Sequence, residues 1–183
     1  MNKYMKLTQM NKIIASFVLL LFFTAPRLAH AQYVQLNADQ KKEVENATFK
    51  GLDGNTVNVS DYKGKVVMID FWETWCHPCI ASMPTEDKLA REFPDKFVVL
   101  AVTPGFNDSK QQVKKFVKDH NYKFHFAYGK KLAKQLMISG IPYKVFLDPK
   151  GNFIKVEMGS YGPQKDYHDI KSIIEKYNPG NSK

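Results

Sequence analysis

The sequence predicts an α/β fold, a mixed central sheet flanked by helices, and three observations carry that expectation. Apolar runs of strand length, VVMIDF at 66–71, FVVLAV at 97–102 and YKVFLD at 143–148, are separated by segments whose apolar residues recur at helical spacing. Such alternation builds parallel strands joined by crossovers. A further strand-type run, NFIKVEM at 152–158, follows YKVFLD across the turn Asp148-Pro149-Lys150-Gly151, so the sheet also carries an antiparallel hairpin. With 183 residues and 44% hydrophobic side chains, the chain has material for one domain with a real core.

From the N-terminus, residues 1–31 read as a secretory signal peptide. Lys3, Lys6 and Lys12 lead into an eleven-residue apolar run at 13–23, and Ala29-His30-Ala31 is a small-x-small site for cleavage before Gln32. The apolar run falls short of the roughly 20 residues of a transmembrane helix, which makes an uncleaved anchor the lesser reading. No cysteine lies near the site, so lipoprotein attachment is excluded. Residues 32–46 are polar and read as a loose arm or short helix. The domain spans 47–178, and 179–183 is a disordered tail.

Within the domain, residues 47–65 suggest an N-terminal β-hairpin turning at Asp53-Gly54-Asn55, with a second turn at Lys63-Gly64. The strand at 66–71 is apolar except for Asp70. A helix at 76–93 follows, with Pro84 inside it and Leu89 and Phe93 facing inward; its interior proline removes one backbone hydrogen bond. After the strand at 97–102, Asp108 or Ser109 caps a helix whose Val113, Phe116 and Val117 fall at i, i+3 and i+4. A short strand at 123–127 and a short helix at 130–137, using Leu132 and Leu136, precede Gly140-Ile141-Pro142 and the closing hairpin. A last helix at 163–177 aligns Tyr167, Ile170, Ile174 and Tyr177 along one stripe.

The formal charge of +9 overstates the basicity of the folded part. Residues 1–31 hold four of the 27 basic residues and no acidic one, which leaves 23 basic against 18 acidic residues, a charge of +5. The remaining lysines, such as Lys114, Lys115, Lys118, Lys130, Lys131 and Lys134, scatter over predicted helices as a solvated face. No basic stripe interleaved with stacking aromatics points to nucleic acid.

Chemistry concentrates in WCHPC, which holds the only two cysteines, Cys76 and Cys79. A c-type haem site needs His directly after the second cysteine, and Ile80 stands there. A structural zinc site needs four ligands at ordered spacing, and His120, His125 and His168 are far off in sequence. As a staple the pair would close a loop too short to constrain much. A redox pair fits better, because a cysteine at the start of a helix faces free backbone N–H groups and about half a positive charge from the helix dipole, which favours the thiolate. Cys76 would then be the exposed nucleophile and Cys79, one turn inward, the resolving thiol. Asp70 has two readings. A carboxyl in an apolar strand is pushed toward protonation and, close to Cys79, can accept and return that thiol's proton. At the strand's end it is simply wet.

The segment IDFWETWCHPC resembles the active site of the thioredoxin superfamily. The signal peptide, the N-terminal hairpin and the extra helix and strand before Gly140 make the chain similar to TlpA/ResA-type exported thiol–disulfide oxidoreductases over 47–177. Matching features are Asp70 six residues before Cys76, Trp75 immediately before it, Pro84 five after Cys79, and Gly140-Ile141-Pro142. The resemblance implies a thioredoxin-like fold and a redox-active Cys76–Cys79 disulfide with no other cofactor. It implies a cis Pro142 that shapes a substrate groove, in which the backbone of Ile141 pairs with an extended partner segment and Tyr143 either lines the groove or packs. Pro78 is similar to the reductase pattern, and His77 is a local variable that stabilises the Cys76 thiolate only when protonated.

Two departures stand out. Ser82 occupies a position that is acidic in many relatives of this type, and Glu73 stands where a small residue is commoner; a carboxylate there opposes the Cys76 thiolate unless it points to water. The expected function is reduction of disulfides in other exported, periplasmic or extracytoplasmic proteins, with electrons from a membrane-embedded donor that the resemblance implies. The alternatives are an oxidase or isomerase, a non-catalytic thioredoxin-like peptide-binding module, and a metal carrier.

Overall fold

Every residue of β3, Val66–Phe71, is buried, the signature of a strand covered on both faces. The computed structural model that shows this describes residues 34–179; the leader read at 1–31 and residues 180–183 of the tail lie outside them. The elements in chain order are α1 (Ala38–Glu45), β1 (Thr48–Gly51), β2 (Thr56–Asn58), a 3-10 turn (Val59–Tyr62), β3, α2 (His77–Glu92), β4 (Phe97–Thr103), α3 (Lys110–Asp119), β5 (His125–Tyr128), α4 (Lys130–Gln135), β6 (Tyr143–Leu147), β7 (Phe153–Met158) and α5 (Pro163–Tyr177).

The strands form one seven-stranded sheet in the order β2-β1-β5-β4-β3-β6-β7. β3, β4 and β5 run parallel, and β6–β7 on one side and β1–β2 on the other add antiparallel edges. Side chains of β3 alternate between two cores. Val67, Ile69 and Phe71 join one with Val145, Leu147 and α4 residues. Val66 and Met68 join the other with Leu89 of α2 and Ile170, Ile173 and Ile174 of α5. Asp70 is on the α2 side of the sheet, paired with Ala101 on β4 and Lys144 on β6.

Of the two readings of residues 32–46, a loose arm or a short helix, the structure shows the helix, docked on the domain. A capping box between Asn37 and Gln40 starts α1, and Leu36 and Val44 enter the core at 5% and 0% exposure. Two apolar residues sufficed, too few to show as a stripe in the sequence. Of the two candidate caps for α3, Ser109 is used, because Asp108 is engaged with Thr74. Gly129 enters α4 where a Cβ would run into the Val102 side chain and stand 3.2 Å from the Phe49 ring, so close approach of β4 requires glycine there.

Candidate active site

β3 delivers the chain to the loop Trp72 to Trp75, and α2 begins at once. Cys76 is its N-cap, with an extended backbone at φ −80° and ψ 91°, and its Sγ accepts the Cys79 N–H at 3.3 Å. The sulfur thus occupies the place of the usual Ser or Asp oxygen, among orphan N–H groups and the positive end of the dipole. Pro78 falls in the first turn, where its missing N–H leaves no bond unmade. The two sulfurs are bonded to each other. Cys79 is fully buried and Cys76 is only 3% exposed, less than the exposed nucleophile expected; the surface is supplied by Trp75, His77 and Pro78 around it.

Asp70 is not wet. It is 0% exposed and neither carboxyl oxygen has a hydrogen-bond partner. Burial first, and then repulsion from Glu86 and Asp166, push it well above the usual carboxylate range, against the attraction of Lys144.

Lys144 and Glu86 were missed by the sequence reading. Lys144 lies directly opposite Asp70 across β3–β6, 2% exposed, with Nζ 3.3 Å from Glu86 Oε1 and 3.5 Å from both Ser82 Oγ and the Gly159 carbonyl. Desolvation pulls the ammonium down, but Glu86, Asp70 and Asp166 outweigh it and hold Lys144 above its ordinary value. Glu86 nevertheless moves upward, chiefly through burial. One ammonium serves two buried carboxyls, so the lysine stays charged while the acids compete for it. A signal existed: Lys144 interrupts an apolar strand as Asp70 does, and Glu86, seven residues past Cys79, returns to the same helix face after two turns. Ser82 is buried and donates to the Cys79 carbonyl at 2.9 Å.

Glu73 also departs from expectation, since it meets no water. It is 0% exposed, and its carboxylate accepts Trp75 Nε1–H at 2.5 Å, Phe106 N–H at 2.5 Å and Asn107 N–H at 3.0 Å. Beside it, Thr74 N–H and Oγ1–H each donate to Asp108 at 2.6 Å. Of these residues, Phe106, Asn107 and Asp108 lie in the β4–α3 loop, more than thirty residues away.

On the other side, the Ile141–Pro142 peptide bond is cis, and the Pro142 carbonyl accepts the Gly159 N–H at 2.9 Å. Ile141 is half-buried and packs on the cluster that contains Trp72, Cys76, Cys79 and Met83. Tyr143, a candidate for the groove, is instead in the core at 3% exposure, edge-on to Phe71 with ring centroids 6.1 Å apart. Its hydroxyl has no partner, and burial pushes it up to about 12. Every position of β6 is buried, so Tyr143 packs beneath the strand start. Among the described residues, no three His, Cys, Asp or Glu side chains converge as metal ligands.

Comparison with known proteins fits this geometry. The Redoxin family pattern matches residues 39–174. The chain belongs to the Redoxin family. It is 30% identical over 128 residues to the thioredoxin-like protein YneN of Bacillus subtilis, covering 69% of this chain and 75% of YneN. It is 27% identical over 140 residues to the thiol-disulfide oxidoreductase ResA of Bacillus cereus, covering 75% and 78%. Among solved structures, the exposed lipoprotein thioredoxin Etrx1 of Streptococcus pneumoniae superposes with a TM-score of 0.59 at 32% identity, over 69% of this chain and 98% of that one. StoA of Bacillus subtilis, with a TM-score of 0.55 at 24% identity over 67% and 93%, shows the shared fold alone. Fold and family agree: the mixed seven-stranded sheet is a thioredoxin-like fold, and the chain is a thiol–disulfide oxidoreductase with a Cys-x-x-Cys pair.

Proposed function

We propose that this oxidoreductase is exported and reduces disulfides in other exported proteins through Cys76 and Cys79. The observation that carries the reading is Cys76 at the N-cap of α2 with Cys79 behind it, on the side of the sheet where Asp70 is buried without a partner. The Cys76 thiolate attacks one sulfur of the partner's disulfide, forming a mixed disulfide and expelling the partner's other sulfur as a thiolate that takes a proton from solvent. Asp70 takes the Cys79 proton, and the Cys79 thiolate attacks Cys76 Sγ. That step closes the Cys76–Cys79 bond and releases the partner's second thiolate, so two electrons have passed to the partner. A membrane-embedded donor restores the dithiol, and no further cofactor is needed. Ile141 and Pro142 border the groove for the partner segment, and the Ile141 N–H and C=O bond to no loop or turn backbone group among the described residues.

Export is supported by the pattern at 1–31; among the described residues no helix is long and apolar enough to cross a membrane. The reducing direction is supported by Pro78 and by His77, which is exposed to solvent. Equilibration with glutathione or a thioredoxin tests the direction. The expected potential lies near that of thioredoxin, about −270 mV, and a value near the about −120 mV of a strong oxidant overturns the reading. Expression of the full chain, followed by N-terminal sequencing, tests cleavage before Gln32.

A further inference from the structure

Glu73 is a buried acid whose bonds all go to N–H groups, and those groups belong to two separate stretches of chain. One is the indole of Trp75, next to Cys76. The others are the backbone of Phe106 and Asn107 in the β4–α3 loop. Thr74 and Asp108 add two bonds between the same stretches. The tied groups are polar, while the rings they carry remain outside: Trp75 is 50% and Phe106 44% exposed. An apolar residue of similar size in its place would leave the Trp75, Phe106 and Asn107 N–H groups without that acceptor. What two acceptor oxygens supply, and an apolar residue does not, is a fixed orientation for one indole ring and one loop.

We infer that Glu73 is a positioning residue that holds Trp75 and the Phe106 loop as a preformed aromatic lip beside Cys76, favouring polypeptide disulfides over small ones. The inference rests on the proposed reduction of protein disulfides. A polypeptide bearing a disulfide meets the lip on either side of its sulfurs, whereas a small disulfide reaches Cys76 without it. Holding the lip in advance removes the ordering that the partner would otherwise impose on binding.

Three variants test it: Glu73→Gln, which replaces one acceptor oxygen by a donor facing the same N–H groups; Trp75→Phe, which keeps a ring and deletes the indole N–H; and the double variant. Reduction of insulin is compared with reduction of 5,5′-dithiobis(2-nitrobenzoate), both under steady state. Each single variant lowers the ratio of kcat/KM for insulin to kcat/KM for the small disulfide by about tenfold, through KM, as expected for misplaced binding groups. The double variant falls no further than the worse single one, because both changes break the same link. Equal losses on the two substrates, or losses that multiply in the double variant, overturn the lip. If Glu73→Gln does not fold, Trp75→Phe and Phe106→Ala, both at exposed rings, carry the same ratio test. A wild-type protein that reduces the small disulfide and leaves insulin intact overturns the reading of protein substrates, and the lip with it; an active wild type with unselective variants overturns the lip alone.

Discussion

Replacing Lys144 by Met strips the charge from between Glu86 and Asp70 while keeping most of the side-chain volume. Lys144 and Glu86 are 2% and 0% exposed and 3.3 Å apart. At that distance, with an effective dielectric of about 20, the attraction is about 5 kcal/mol. Relief from burying the ammonium offsets part of it, so the expected loss at pH 8 is about 3–5 kcal/mol, the range found when one partner of a buried pair is removed. The loss depends on pH with a definite sign. Without Lys144 both carboxyls rise further above their unfolded values, so the folded state binds protons that the unfolded state has released. Stability then falls as pH climbs from the unfolded carboxylate value, about 4, toward the folded ones. Urea unfolding at pH 5 and pH 8 is the assay. The variant should be close to wild type at pH 5, far below it at pH 8, and largely restored at pH 8 by adding Glu86→Leu. Equal losses at the two pH values, or no loss at pH 8, would refute the view that one ammonium holds two buried acids.

The other perturbations address single residues. Asp70→Asn removes a group whose folded value is raised by burial, so its contribution is present below about 3.8 and lost as pH rises through that folded value; the variant should be more stable than wild type at pH 8 in thermal melts, while the release of mixed disulfides slows. Cys79→Ser should accumulate mixed disulfides with partner proteins, visible on non-reducing gels, and Cys76→Ser should show none. Gly129→Ala forces a Cβ into Val102 and should cost about 1–3 kcal/mol in denaturant unfolding, as overpacking does.

Much of the scaffold was legible because its signals are local. The bounds of β3 and α5 emerged as read, the first from an apolar run broken only by Asp70 and the second from the stripe Tyr167, Ile170, Ile174 and Tyr177, although Ile173 and Asp166 are buried as well. Cys76 was legible as the start of a helix after a buried strand, and it stands there as the N-cap. What stayed hidden depends on pairings across the chain. Lys144 meets Asp70 only because β6 runs antiparallel to β3 in that register. Glu73 finds its backbone donors in a loop 33 residues away, and no local pattern announces it. Tyr143 begins a strand buried on both faces, where alternation carries no information about which side is open.

The unequal burial of the two sulfurs makes the bond between them directional. In the proposed cycle an incoming thiolate attacks Cys76, the outer of the two at 3% exposure, and Cys79, fully buried, is the leaving sulfur. In the proposed reduction, the donor and the protein being reduced therefore meet the same sulfur, one after the other. On that proposal turnover takes the ping-pong form, in which excess of either partner crowds out the other.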